Sequence, residues 1–314
     1  MLRAFKIIVS ASLIGVLVWN IDWVEMRPDL RNIDPVLVVI AVLFSCLQYP
    51  ISAWKWQTSL KLHGLQYPFW YLLRVLCIAF FFNNFLPTAI GGDAYRAYRT
   101  ISKSTRPAYP ISAVILERLF GIAALVFLGY LSAIYLVYSG AFVHQRWAGG
   151  AVIAITVSLL LIWTFWQLSV HEKIWASLQK IARLEPLYDS IRVLNANRQH
   201  FGRLIGLSLL FQGVAIIGIA LIFAALDLPG RLAESGFTAA AAGVSMILPL
   251  SINGIGVVEG SFVAAAWEAG LPYAAAVLVA LFNRTFMLVA SLVFGLLYAV
   301  EPKDDNVLHR ETIS

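Results

Sequence analysis

Apolar runs long enough to cross a membrane recur along the chain, at about 5–21, 35–53, 110–139, 149–169, 203–226 and 273–300. Crossing about 30 Å of hydrocarbon takes about 20 helical residues. Lipid offers nothing to bond a free N–H or C=O, so such runs fold as helices that satisfy their own backbone. Six spanning helices are expected. Composition agrees: 60% of the 314 residues are hydrophobic and 13% are charged, roughly half the charged share of an average soluble domain. Trp19, Trp23, Trp54, Trp56, Trp147 and Trp166 fall near the ends of these runs, where an interfacial indole is expected. The first run follows Arg3 and Lys6 but is followed by Trp19, Asn20, Asp22 and Trp23 rather than a small-residue cleavage site. It reads as an uncleaved helix.

Two further apolar segments, 69–86 and 236–249, are short. Each ends in Leu-Pro and a glycine-rich polar stretch: Leu86 to Asp93 reads LPTAIGGD, and Leu248 to Gly256 reads LPLSINGIG. Charge decides how they run. Of 23 Lys and Arg, 16 fall in the N-terminus, 54–68, 93–109, 170–203 and the C-terminal tail, and only four fall in 22–34, 140–148 and 227–235. This asymmetry assigns both termini to the cytoplasm. It also assigns 54–68 and 93–109 to one side, so 69–92 must enter and return. By the same logic 236–270 enters from outside and returns there. Two re-entrant helical hairpins are expected, dipping from opposite faces.

An internal repeat points the same way. Leu86-Pro87 and Gly92 recur at Leu248-Pro249 and Gly254, 162 positions on, and Glu117-Arg118-Leu119-Phe120 recurs as Asn283-Arg284-Thr285-Phe286, 166 positions on. Each half reads span, span, hairpin, span, and the second begins on the opposite side. The expected architecture is an all-α integral membrane domain over 1–301, with inverted repeat halves of about 1–145 and 146–301 and a polar cytoplasmic tail at 302–314. Broken helices in inverted repeats are the pattern of many secondary transporters. Segment 170–203 reads equally as an amphipathic helix on anionic headgroups and as a solvated linker.

In the first motif, Pro87 stops a helix and Gly91-Gly92 allow a tight turn with exposed amides. Asp93 is suited to cap the helix that follows, whose positive end faces the break. Such an end receives anions such as a lipid phosphate. Arg96 and Arg99 lie three apart, suiting bidentate phosphate contact. Asn83, Asn84 and Asp93 add polar groups where hydrocarbon penalises them. In the second motif Pro249 stops a helix, Asn253, Gly254 and Gly256 make the break, and Glu259 follows, free to cap, to pair with an arginine or to take up a proton. Glu117 and Arg118 lie in one span, Asn283 and Arg284 in the last. Such residues bind substrate or lock the halves together, through Arg118–Glu259 or Arg284–Asp93 pairs. Arg74 reads as snorkelling to the cytoplasmic interface. The five histidines are scattered and the two cysteines, Cys46 and Cys77, lie apart in apolar segments; no metal and no cofactor are expected. The +6 formal charge sits in loops and reports topology and contact with anionic lipid headgroups, not nucleic acid.

The stretches NNFLPTAIGGDAYRAYR, ILERLFG and LPLSINGIGVVEGSF resemble the hallmark motifs of the lysylphosphatidylglycerol synthase transmembrane region. That is the flippase-type domain of the multiple peptide resistance factor, which also occurs as a stand-alone membrane protein. The resemblance covers nearly the whole chain and implies a lipid-translocase-like fold acting on phospholipid or polyprenyl lipids. The matching positions are Asn84, Pro87, Gly91, Gly92, Asp93, Arg96, Glu117, Arg118, Pro249, Asn253, Gly254, Gly256, Glu259, Gly260 and Arg284. With no soluble synthase domain after residue 301, aminoacyl transfer is not expected.

The expected function is a flippase-like translocase of the inner membrane. An anionic headgroup would be held by Asn84, Gly91, Gly92, Asp93, Arg96, Arg99, Glu117, Arg118, Asn253, Gly254, Gly256, Glu259 and Arg284. Two alternatives stand beside it. One is an integral-membrane enzyme acting on a lipid-linked sugar or phosphate, with Asp93, Glu117 and Glu259 as its acid–base set. The other is an accessory subunit of envelope assembly that uses 170–203. A homo-oligomer or an envelope-biosynthesis partner is compatible with each.

Overall fold

Asp34 opens the first helix, α1 (Pro35–Cys46): its Oδ1 accepts the N–H groups of Val36 and Leu37 at 2.8 and 3.3 Å. Pro35 stands in the first turn, where its missing N–H costs nothing. The computed structural model describes residues 33–85, 91–101, 107–144, 198–228, 231–246 and 251–300, with Ser12, Gly15, Leu17 and Trp19. The rest of the expected span 5–21, the expected span 149–169, both Leu-Pro pairs, segment 170–197 and the tail lie outside the described residues.

α1 runs through Leu47 into α2 (Gln48–Lys61). The joint falls where Pro50 has no N–H to offer the carbonyl of Cys46. There follow α3 (Phe69–Phe85), α4 (Gly91–Arg99), α5 (Ala108–Ser139), α6 (Arg198–Ala225), α7 (Leu232–Ser245), a short 3-10 turn (Ile252–Gly254), α8 (Val257–Glu268) and α9 (Tyr273–Ala299). The described residues are all-helical, with no strand. Four helices among them are long and apolar enough to cross a membrane: Pro35–Lys61, Ala108–Ser139, Arg198–Ala225 and Tyr273–Ala299. They cover the expected runs at 35–53, 110–139, 203–226 and 273–300.

The first of these corrects the reading of its C-terminal end. The run continues eight residues past 53 to Lys61, because no proline or glycine interrupts it between Pro50 and Gly64. Trp54 is exposed, but Trp56 is fully buried, at 0%. It is a core residue and not an interfacial anchor. Cys46, in turn, is exposed while Cys77 is buried.

Element order repeats along the chain. A long apolar helix (α1–α2, then α6) is followed by two short ones (α3 and α4, then α7 and α8) and a second long one (α5, then α9). α4 and α8 begin 166 positions apart, at Gly91 and Val257. Two core clusters hold these elements, the second of which also takes in Ala41 of α1. One joins Trp56, Leu60, Leu72, Val75, Ala113 and Val114; the other joins Ile222, Phe223, Phe262, Val263, Ala276 and Val279.

Small residues let the short helices approach closely. α5 and α7 run antiparallel, since Ser132 meets Gly236, Gly129 meets Ala240 and Leu125 meets Gly243. A Cβ on Gly129 would stand 2.2 Å from that of Ala240. Where apolar surface gains nothing by leaving lipid, such close packing is a main source of helix association. α4 lies as tightly on α3: a Cβ on Gly92 would stand 2.0 Å from the carbonyl oxygen of Ala79.

Candidate functional site

α4 is amphipathic and short, and it sits between α3 and α5. Its inward face carries Asp93 and Arg96, one turn apart, which pair at 2.9 Å. Arg96 is buried and reaches on to α5, where its Nη1 and Nη2 both donate to Glu117 Oε2 at 3.1 Å. The other oxygen of Glu117 is 2.9 Å from Lys55 Nζ on α2, whose side chain is 3% exposed. The second oxygen of Asp93 meets Arg118 Nε at 2.5 Å. Five charged groups from three helices therefore form one connected chain: Lys55, Glu117, Arg96, Asp93, Arg118. Aromatic faces line it, with Arg96 over the Trp56 ring at 5.1 Å and Lys55 over Phe211 at 4.9 Å. Gly121 leaves room for the lysine, since a Cβ there would stand 3.1 Å from Nζ.

Arg118 differs from the other four. Its side chain is 48% exposed. It emerges beside Ile115, Leu119 and Ile122, which are exposed as well. Asp93 is its only ion-pair partner among the described residues, and the contact uses Nε, so it leaves Nη1 and Nη2 out of the pair.

The second break holds a simpler version. Asn253, at φ 50°, Gly254 at 72° and Gly256 at 83° turn the chain in the left-handed region, which costs a glycine little and asparagine less than most residues. Glu259, in the first turn of α8, then does two things. Its Oε2 accepts the N–H of Gly256 at 2.6 Å, and its Oε1 accepts from Arg284 Nε on α9. Glu259 and Arg284 border a cavity of about 310 Å³ whose wall also includes Gln212, Val258, Phe262 and Asn283.

Asp93–Arg118 and Glu259–Arg284 occupy equivalent places in the repeat, 166 positions apart (93 to 259, and 118 to 284). The expected pairs across the halves, Arg118–Glu259 and Arg284–Asp93, do not form. α4 packs on α5 and α8 on α9, so each carboxylate meets the arginine of its own half. At the two breaks the halves meet through amides: Asn253 Nδ2 donates to Asn84 Oδ1 at 2.9 Å, and Asn84 Nδ2 donates to Ser291 Oγ on α9 at 2.5 Å; away from the breaks, His144 pairs with Glu268 across the halves at 3.0 Å.

Other expected ligands have different neighbours. Arg99 does not join Arg96; its Nη1 donates to Tyr95 Oη at 3.0 Å and it lies over the rings of Tyr71 and Tyr95. Gly91 begins α4, and the Gly92 N–H donates to Asn83 Oδ1 at 2.8 Å. Lys55 was assigned from the sequence to a cytoplasmic loop, and the structure corrects this: it is a buried partner of Glu117. The stretch free of proline and glycine between Pro50 and Gly64 is the sequence signal for it.

Long apolar helices that enclose buried ion pairs define a multi-pass α-helical membrane protein. The chain belongs to the lysylphosphatidylglycerol synthase TM region family, whose profile matches residues 3–295. It is also 26% identical over 184 residues to a UPF0104 membrane protein of Pyrococcus horikoshii, an alignment covering 55% of this chain and 52% of that protein. The chain thus spans about half the length of the curated relative it matches.

Proposed function

We propose that this chain is a lipid translocase of the inner membrane, moving an anionic phospholipid or polyprenyl-linked lipid, with Arg118 as the first contact for its phosphate. The observation that carries this reading is the half-exposed guanidinium of Arg118, anchored through Nε by Asp93 and flanked by exposed apolar side chains. A bidentate donor in that setting suits a phosphodiester that arrives laterally while its acyl chains stay in lipid.

Helix lengths support the re-entrant reading. α4, α7 and α8 have 9, 14 and 12 residues, or about 13–21 Å at 1.5 Å per residue, which is short of the hydrocarbon thickness. Arg118 and Arg284 lie about 15–17 Å along α5 and α9 by the same rise, inside the two apolar runs. Equivalent arginines at equivalent breaks fit a substrate path shared by two inverted halves that rock about it. With the charge distribution of the loops, this reading has six spans, two hairpins and cytoplasmic termini.

Proteoliposomes with head-labelled phosphatidylglycerol test it. The protein should bring label from the inner leaflet within reach of a membrane-impermeant quencher faster than protein-free vesicles do, and Arg118→Ala should lose at least tenfold in rate. Movement no faster than in protein-free vesicles, or an Arg118→Ala rate equal to that of the unaltered protein, overturns the proposal.

A further inference from the structure

The two halves match in position but not in chemistry. At the same offset of 166, the pair Asp93–Arg118 corresponds to Glu259–Arg284. Gly92, Arg96, Glu117 and Gly121 correspond to Val258, Phe262, Asn283 and Met287. In the first half Arg96 and Glu117 meet in a buried ion pair. In the second a phenyl ring and an amide stand at those places. All four of the replacements border the cavity of about 310 Å³ between α8 and α9 and their neighbours. Its size falls at the lower end of small-molecule sites, about 300–1,000 Å³.

Most of the wall is apolar, with Leu125, Ile219 and Met246 beside Val258, Phe262 and Met287. Three polar side chains on it have bonding capacity to spare. Asn283 has no hydrogen-bond partner among the described residues. Gln212 donates from Nε2 to the Gly121 carbonyl at 2.9 Å, which leaves its Oε1 to accept. Arg284 is bound to Glu259 through Nε, which leaves Nη1 and Nη2 to donate. Polar groups among apolar ones are costly until they are paired, so a ligand that pairs them is favoured.

Charge decides which ligand that is. The network at α4 sets Lys55, Arg96 and Arg118 against Asp93 and Glu117, a surplus of one positive charge that suits an anion. The cavity has one cation and one carboxylate, Arg284 and Glu259, already paired with each other. An ion entering it would find no uncompensated partner, and an unpaired charge in such surroundings is expensive. From this juxtaposition we infer that the cavity is a binding site for an uncharged lipid. The hydrocarbon chain lies along the apolar wall, and a hydroxyl or ester head meets Asn283, Gln212 and Arg284. A hydroxyl both donates and accepts, so it serves the Gln212 oxygen and the arginine together. The two halves have thus diverged into sites of different charge, and this inference stands whether or not Arg118 binds a phosphate.

The test is photolabelling of the whole chain in phosphatidylcholine nanodiscs with a monoacylglycerol that carries a diazirine in its chain, read by peptide mass spectrometry. Label should fall on the cavity wall, at Met246, Phe262 or Met287. Three unlabelled competitors of equal chain length follow: a monoacylglycerol, an alkyl sulfate and an alkyltrimethylammonium. The monoacylglycerol should displace the label at a concentration at least tenfold lower than either ion. Asn283→Leu should raise the concentration of monoacylglycerol needed by at least tenfold. Asn283→Asp adds a negative charge to the wall and should put the ammonium first among the competitors, a change of order that a merely destabilised fold would not give. Label confined to lipid-facing residues such as Leu292 and Leu296 overturns the site. Equal displacement by all three competitors overturns the selection for an uncharged head. Displacement led by the sulfate overturns it too, and makes the cavity a second anion site. Asn283 variants indistinguishable from the unaltered chain overturn the role of the amide.

Discussion

Arg118 on α5 pairs with Asp93 on α4, Nε to Oδ2, at 2.5 Å. The carboxylate that holds it is itself held by Arg96, so Arg118 is the outermost member of the chain of charges and the one whose removal disturbs the fold least.

Arg118→Ala should therefore separate binding from stability. Asp93 keeps its pair with Arg96, so no carboxylate is left unpaired, and the stability cost should stay well below the about 3–5 kcal/mol of breaking a buried pair on one side. Detergent-solubilised protein should unfold within a few degrees of the unaltered chain while losing phosphatidylglycerol binding. A large drop in unfolding temperature would assign Arg118 a structural role instead.

Glu117→Gln should behave in the opposite way. It leaves Lys55 and Arg96, both buried, facing a neutral amide. Breaking a buried pair on one side costs about 3–5 kcal/mol, enough to lower folded yield and unfolding temperature together. Glu268→Gln is the control: its partner His144 is exposed, and the expected change is at most about 1 kcal/mol. Equal effects from the two substitutions would contradict the buried network.

Gly92→Ala should push α4 off α3, because the added Cβ would stand 2.0 Å from backbone at Ala79 and 2.7 Å from Asn83 Cγ. Overpacking of this kind costs about 1–3 kcal/mol or more. Gly206→Ala on α6 meets nothing within 4 Å and should be neutral or stabilising by up to about 1 kcal/mol. Thermal unfolding of the two variants side by side decides it.

Double-mutant cycles should follow the halves. Glu259→Ala with Arg284→Ala, and Asp93→Ala with Arg118→Ala, should each show a coupling of about 0.5–3 kcal/mol, whereas Arg118→Ala with Glu259→Ala should add within about 0.5 kcal/mol. Coupling across the halves and additivity within them would reverse the pairing seen here.

Much of this protein is legible without coordinates. Hydropathy marks all four described spans, because burial in lipid demands long apolar helices whatever they pack against. Asn253 to Gly256 mark a break, because those backbone conformations restrict residue type locally; Gly91 and Gly92 instead begin α4 as ordinary helix, and Gly92 is required by its close approach to Ala79. Glu117, Arg118, Glu259 and Arg284 stand out because a charge inside an apolar run always needs a reason. Lys55 did not, since Trp54 and Trp56 on either side of it look like a membrane interface.

What the chain alone determined is its class and the location of its polar points. Which charge meets which was decided by packing. Asp93 and Arg118 are 25 residues apart, as are Glu259 and Arg284, and Lys55 and Glu117 are 62 apart (55 to 117). Ion pairing depends on which helix faces lie within about 4 Å of one another. That is set by Gly92 against Ala79 and by Gly121 beside Lys55, contacts between helices that no local pattern in either helix encodes.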